Sequence, residues 1–312
     1  MSKELKRISN YFSRALFCKE DNESVLLNFV NGFIEDNNEK PFKEIEILSP
    51  YNYKNHITDT ETIVDVKAKN NDGEIIIVEI QSYGSRIFIN RQLEYWVKNF
   101  TTQAEMSRQR AIELNDPSLR KPKRIISIAI VDFIMFPDDH CAHTVHKICN
   151  VKNSKVSTDI LELHILELPK AIETIKNKDL ALWAIFFGSN NFEEDKIMLA
   201  EQNVALKKAV NDYDFFREDK DFVSEYEKHE IFLTGIQMMK DEAVADGHAE
   251  GLAKGLAEGL AEGHIEGHAK GLTEGMRQKA LDTAKKLHEM GLSIEQIAQA
   301  TDLTVEEIKK IS

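Results

Sequence analysis

Residues 63–81, IVDVKAKNNDGEIIIVEIQ, read as two β-strands joined by a tight turn. Valine and isoleucine dominate both arms, and Asn70-Asn71-Asp72-Gly73 between them carries the Asp-Gly pair that marks a hairpin. With a three-residue loop, Asn71-Asp72-Gly73, and Gly73 in the left-handed conformation, Asp65 falls opposite Glu79. Directly opposed residues hold their Cβ atoms about 4.5–5.5 Å apart on one face of the pair. Two like charges so placed destabilise the hairpin, and a divalent cation between them removes that penalty; Mg²⁺ favours one or two carboxylates completed by water. Strand alternation puts Lys67 on the Asp65 face and Gln81 on the Glu79 face. The plainer alternative is an amphipathic hairpin whose acids both face solvent while Val64, Val66, Val78 and Ile80 face the core.

Outward from the hairpin, helical spacing runs from Leu5 to Ile34, with a break at Asp21, Asn22 and Ser24. A further short strand is expected over Glu44–Leu48, and the first hairpin arm over Thr62–Lys69. Arg86 to Asn115 reads as a long helix, Pro117 and Pro122 bracket a loop, and IISIAIV within Arg124–Phe133 reads as a buried strand. Val145–Ile148 and Ile160–Leu168 are further strands, and Ala171–Lys240 is mainly helical. This order predicts an α/β or α+β sheet layer flanked by helices. The sequence divides into residues 1–170, a core; 171–240, a helical extension; 241–277, a repeat; and 278–312, a small helical tail.

The chain has 312 residues, 42% hydrophobic and 30% charged, with 40 Lys+Arg against 53 Asp+Glu for a net charge of −13. That composition excludes disordered and collagen-like chains. No apolar stretch approaches the roughly 18 residues of a membrane span. The first residues, MSKELKRISN, lack the apolar region of a signal peptide, and three cysteines give no disulfide framework, so a cytoplasmic protein without membrane partners is expected. The acidic balance argues against indiscriminate nucleic-acid binding but leaves room for a local basic stripe: nine basic residues against four acidic lie between Arg86 and Arg124. Tyr95 and Trp96 within it read as core.

The hairpin, the LF and LLNFVNGFI of the N-terminal helices, the RQLEYW helix and the ELHILELPK strand, in this order, resemble the Rpn-like recombination-promoting nucleases, also called PD-(D/E)XK nuclease family transposases. The resemblance covers about Ser9 to Lys170. It implies a restriction-endonuclease-like αβββαβ core, here with a helical C-terminal extension, and Mg²⁺- or Mn²⁺-dependent hydrolysis of DNA phosphodiesters in a recombination or mobile-element role. Asp65 would be the motif aspartate, Glu79 the acid of the (D/E)XK element, Gln81 the occupant of its lysine position, and the Ile80 carbonyl a further metal ligand. Lys67 is the cation available in place of the missing lysine, and Arg86 and Arg91, entering the next helix, are candidates to hold the DNA phosphate. The family often carries an aspartate near the N-terminus where this chain has Asn10, an auxiliary residue that can hydrogen-bond but adds no charge. With Gln81, this leaves a second reading: a catalytically weakened nucleic-acid-binding or assembly protein on the same fold.

Three further features need a reading. His140, Cys141, His143, His146 and Cys149 look superficially like a zinc cluster, but their spacing on a strand does not converge side chains on one ion. Glycine recurs every fourth residue from Gly247 to Gly275, eight of the chain's fourteen, a pattern that suits an oligomerising helix or a flexible spacer. The tail resembles a small helix-turn-helix, but Glu306 and Glu307 on its last helix suit a subunit contact better than a DNA groove. A homo-oligomer assembled through the C-terminal helices is expected.

Overall fold

The computed structural model describes residues 5–48, 51–52, 62–81 and 88–310. Two short helices open the chain, α1 (Asn10–Phe17) and α2 (Glu23–Asp36). Ser9 caps α1 by accepting from the Phe12 N–H, and the break between the helices falls where Asp21 takes a positive φ of 65° before Asn22 at the α2 N-cap. The strands are β1 (Ile45–Leu48), β2 (Tyr51–Asn52), β3 (Thr62–Ile63), β4 (Val66–Asn70), β5 (Ile75–Gln81), β6 (Ile125–Val131), β7 (His143–Asn150) and β8 (Lys155–Glu167). Helix α3 (Phe88–Glu113) connects β5 to β6, and α4 (Lys178–Gly188), α5 (Phe192–Gln202), α6 (Val204–Glu218) and α7 (Lys220–Glu289) follow the sheet.

Six strands form one mixed sheet in the order β1-β4-β5-β6-β8-β7. The pairs β1–β4, β4–β5 and β8–β7 are antiparallel, while β5–β6 and β6–β8 are parallel. The parallel centre is covered on both sides, which is why IIIV in β5 and IISIAIV in β6 are continuous apolar runs instead of alternating ones. On one face Val66, Ile76, Val78, Ile126 and Ile128 pack into a core with Phe12, Phe29, Phe33 and Trp183. On the other, Ile75, Ile77, Ile125 and Ala129 meet Phe88, Tyr95 and Trp96 of α3, and the Trp96 indole donates to Ser127 Oγ at 2.9 Å. This is the α/β fold with helical extension that the resemblance implies.

Three expectations are corrected. The strand expected over Thr62–Lys69 is interrupted: β3 pairs with β2 in a separate two-stranded sheet, and Val64 and Asp65 lie between it and β4. The chain leaves the ladder there because side chains, described below, take over its hydrogen bonds. The strand expected over Val145–Ile148 is longer, His143–Asn150, and forms an antiparallel hairpin with β8 whose register shifts between Lys147 and Cys149. Arg124 does not belong to the solvated basic stripe: it is largely buried among Glu39, Glu74 and Glu162.

The chain divides into two compact units, Met1–Ile231 and Phe232–Ser312. In the second, α7 carries the glycine repeat as continuous helix, and α8 (Ile294–Thr301) and α9 (Val305–Lys309) form a cluster around Ala284, Ile297, Leu303 and Ile308. Ser293 and Thr304 each open a capping box, with Gln296 and Glu307 reaching back. No described helix is long and apolar enough to cross a membrane.

Candidate active site

Gly73 sits at φ +80°, and beyond the turn Val66 pairs with Val78 and Lys67 with Ile77. That register, continued past the end of β4, brings Asp65 to Glu79. There the ladder is replaced by a reciprocal clasp. The Ile80 N–H donates to Asp65 Oδ2 at 2.9 Å, and the Asp65 N–H donates to Glu79 Oε1 at 3.2 Å. Each acid thus commits one oxygen to the other strand's backbone. The other oxygens face arginines: Asp65 Oδ1 lies 3.8 Å from Arg14 of α1, and Glu79 Oε2 lies 3.8 Å from Arg91 of α3. Both separations exceed a hydrogen bond.

The acids are not on a solvent face. Asp65 is 6% exposed and Glu79 4%, which corrects the amphipathic-hairpin alternative. Burial pushes the Asp65 carboxyl up, against the opposing pull of the Ile80 N–H and the two arginines. Burial and then the Asp65 charge push Glu79 well up. Two buried carboxylates that repel each other, each with one oxygen left without a hydrogen bond, are a donor set that suits a hard divalent cation completed by water. Among the described residues no third His, Cys, Asp or Glu joins them. Ile80 turns its side chain into the opposite core, while its backbone stays at the clasp.

Of the remaining expected residues, Gln81 and Arg91 join this pair. Gln81 accepts from the Arg91 guanidinium, so Arg91 ties Gln81 and Glu79 together, with its head also 5.9 Å from the Phe88 ring. Lys67 is half-buried opposite Ile77, and burial lowers its pKa. Arg86 lies outside the described residues. Asn10 opens α1 and lines a cavity shared with Arg14, with its Oδ1 buried and without a hydrogen-bond partner. Tyr95 is core, as expected, but also answers to the site: burial first, then Glu79, pushes its phenol up.

Two residues here escape sequence reasoning. Arg14 comes from a helix far upstream of the hairpin, and nothing local signals its approach to Asp65. Gln92 of α3, beside Arg91, is 1% exposed with both amide atoms buried and unpartnered. A glutamine on the buried face of a helix, three residues before Tyr95, is the only signal that could have marked it.

His143 and His164 form no part of this site. They stack with Nε2 and Nδ1 2.9 Å apart, between Asp36 at 2.6 Å and Glu162 at 2.6 Å. Of the basic stripe, Arg108, Arg110, Arg120, Lys121 and Lys123 are exposed.

A family model described as PD-(D/E)XK nuclease family transposase matches residues 7–243, a span that includes the clasp, Arg14, Arg91 and α3. No curated protein and no solved structure matches the chain.

Proposed function

The chain belongs to the PD-(D/E)XK nuclease family transposases, and on that premise we propose that it is a Mg²⁺- or Mn²⁺-dependent DNA endonuclease acting in recombination or mobile-element chemistry. The observation that carries the reading is the clasp of Asp65 and Glu79, buried, mutually repelling, and each with one oxygen that makes no hydrogen bond and faces an arginine at 3.8 Å. Asp65, Glu79 and the Ile80 carbonyl would hold the cation. When bound, it supplies Lewis-acid polarisation of the phosphoryl oxygen and a water of lowered pKa.

The chain's own residues do the rest. The backbone N–H groups of Ile80 and Asp65 fix the two carboxylates, so their free oxygens are pre-oriented before substrate arrives. Arg91 holds the Gln81 amide in place, and that amide can orient the attacking water by hydrogen bonding. Arg14 and Arg91 flank the pair and can clamp the scissile phosphate, a role in which Arg86 joins Arg91. Lys67, its charge made less favourable by burial, is a further cation for the negative charge that develops on the phosphoryl oxygens. The exposed arginines and lysines between residues 108 and 123 supply sequence-independent backbone contacts.

In this reading residues 1–170 form the nuclease core and 171–240 its helical extension, and the glycine repeat and tail assemble copies, which brings more than one active site to a duplex. The three cysteines, all free, suit a reducing cytoplasm. The test is nicking of supercoiled plasmid. Wild type with Mg²⁺ should cut, wild type with EDTA should not, and Asp65→Ala or Glu79→Ala should lose about a hundredfold or more in rate while remaining folded. Metal-dependent binding of DNA without any cleavage would favour the weakened, DNA-binding reading instead.

A further inference from the structure

Asn10 Oδ1, Arg14 Nε and His229 Nδ1 are buried side-chain atoms without a hydrogen-bond partner, and all three belong to residues lining one cavity of about 570 Å³. Buried polar atoms are nearly always paired, so three such atoms at one cavity mark a place shaped for something that pairs them. Tyr11, Phe216 and Phe222 supply aromatic walls. Among the described residues the lining contains no carboxylate; its second cation, Lys19, is engaged by Asp212 outside it. The volume lies within the range of about 300–1,000 Å³ typical of small-molecule sites.

The polar edge decides the chemistry. Asn10 Oδ1 can only accept, and Arg14 Nε can only donate. Burial holds His229 below its ordinary pKa, against Glu230 and helped by Arg14, so it presents a neutral ring nitrogen. A fully deprotonated anion such as sulfate has only acceptors to offer and would leave Asn10 Oδ1 unmet. A nucleobase carries N–H donors and carbonyl or ring-nitrogen acceptors on one edge, and a π face for aromatic side chains. Arg14 also reaches to 3.8 Å from Asp65 Oδ1, which joins the cavity to the clasp.

We propose that this cavity receives one unstacked nucleotide of the substrate strand, its base against Tyr11 and Phe222 and paired with Asn10, its phosphate toward Arg14 and the acids. That the strand is a nuclease substrate rests on the reading above; the recognition of a nucleotide does not. The cavity thus selects DNA that is single-stranded or easily unstacked at the cut, because a base in a sound duplex must first lose its pairing and stacking, a cost that an unpaired base does not carry.

The test uses the full chain in EDTA, so that cleavage plays no part. Calorimetric titrations with dCMP and dAMP should show one site, with at least one of the two binding about tenfold or more tighter than 2-deoxyribose 5-phosphate, which lacks the base. Asn10→Ala should weaken nucleotide binding about fivefold and leave the baseless probe unchanged. Ala15→Phe, which fills the cavity, should abolish binding; if circular dichroism shows that variant misfolded, Asn10→Ala decides alone. A single-stranded pentanucleotide should displace the bound nucleotide. Equal binding of the baseless probe, or no effect of Asn10→Ala, would overturn the proposal, and a pentanucleotide that fails to compete would overturn the assignment to a DNA strand. Plasmid nicking by the same protein, transferred from EDTA into Mg²⁺, separates the two readings: nucleotide binding without nicking leaves the cavity and removes the nuclease, and nicking without base selectivity does the reverse.

Discussion

At Asp65 and Glu79 the fold holds two carboxyls where burial and repulsion disfavour their charged forms, so the site is stored at a cost in stability. Glu79→Gln keeps an oxygen for the Asp65 N–H but removes one charge. In EDTA it should raise Tm by about 2–4 °C, the equivalent of about 1 kcal/mol in a domain of this size. Adding Mg²⁺ should raise the Tm of wild type and leave that of Glu79→Gln unmoved, as mass action requires of a ligand that binds only the folded site; thermal melts with and without the ion check both. Gly73 is the residue that sets the two acids opposite each other. A Cβ there would make only ordinary contact with Lys123 Cγ at 3.7 Å, so the cost of Gly73→Ala lies in the positive φ, about 1–2 kcal/mol by urea unfolding.

Among the elements, the hairpin register is legible in the sequence because a residue that must adopt positive φ stands at a fixed distance from both acids. The break before β4 is not, because it depends on Asp65 capping the Ile80 N–H with its side chain. Nor is the burial of the acids: alternation assigns residues to a face but not what covers the face, and here α3 covers it with Phe88, Tyr95 and Trp96. Arg14 is illegible for the same reason on a longer range. The close approach of α2 to α4 is visible only in three dimensions, where a Cβ on Gly32 would stand 3.2 Å from the Leu180 backbone; Gly32→Ala should force the helices apart and lower stability. On β8, between β6 and β7, Glu162 is fully buried. Burial alone would raise its pKa, but His164, then Lys147 at 2.8 Å and Arg124 at 3.3 Å, carry it down to about 2. A carboxyl depressed in the folded state adds stability above its unfolded pKa and loses it as pH falls toward its folded one. Glu162→Gln should therefore cost on the order of 3 kcal/mol at pH 7 and flatten the loss of stability between about pH 4.5 and 2, followed by urea melts across that range.

For the whole molecule, the glycine repeat is continuous helix, and a Cβ on any glycine from Gly247 to Gly275 would meet nothing within 4 Å. Leu252, Leu256, Leu260 and Leu272 are exposed on the same helix. A helix with so many glycines is marginal by itself, so assembly of copies is what would sustain it. Replacing Leu252, Leu256 and Leu260 by Gln should shift the sedimentation coefficient to that of a monomer, whereas an unchanged value would assign the repeat to spacing. The central claim remains the clasp of Asp65 and Glu79. Its most direct test is supercoiled plasmid incubated with wild type and Asp65→Ala, each with Mg²⁺ and with EDTA. Nicked or linear product from wild type with Mg²⁺ alone is the predicted result; equal cleavage by Asp65→Ala, or cleavage by wild type in EDTA, would contradict it.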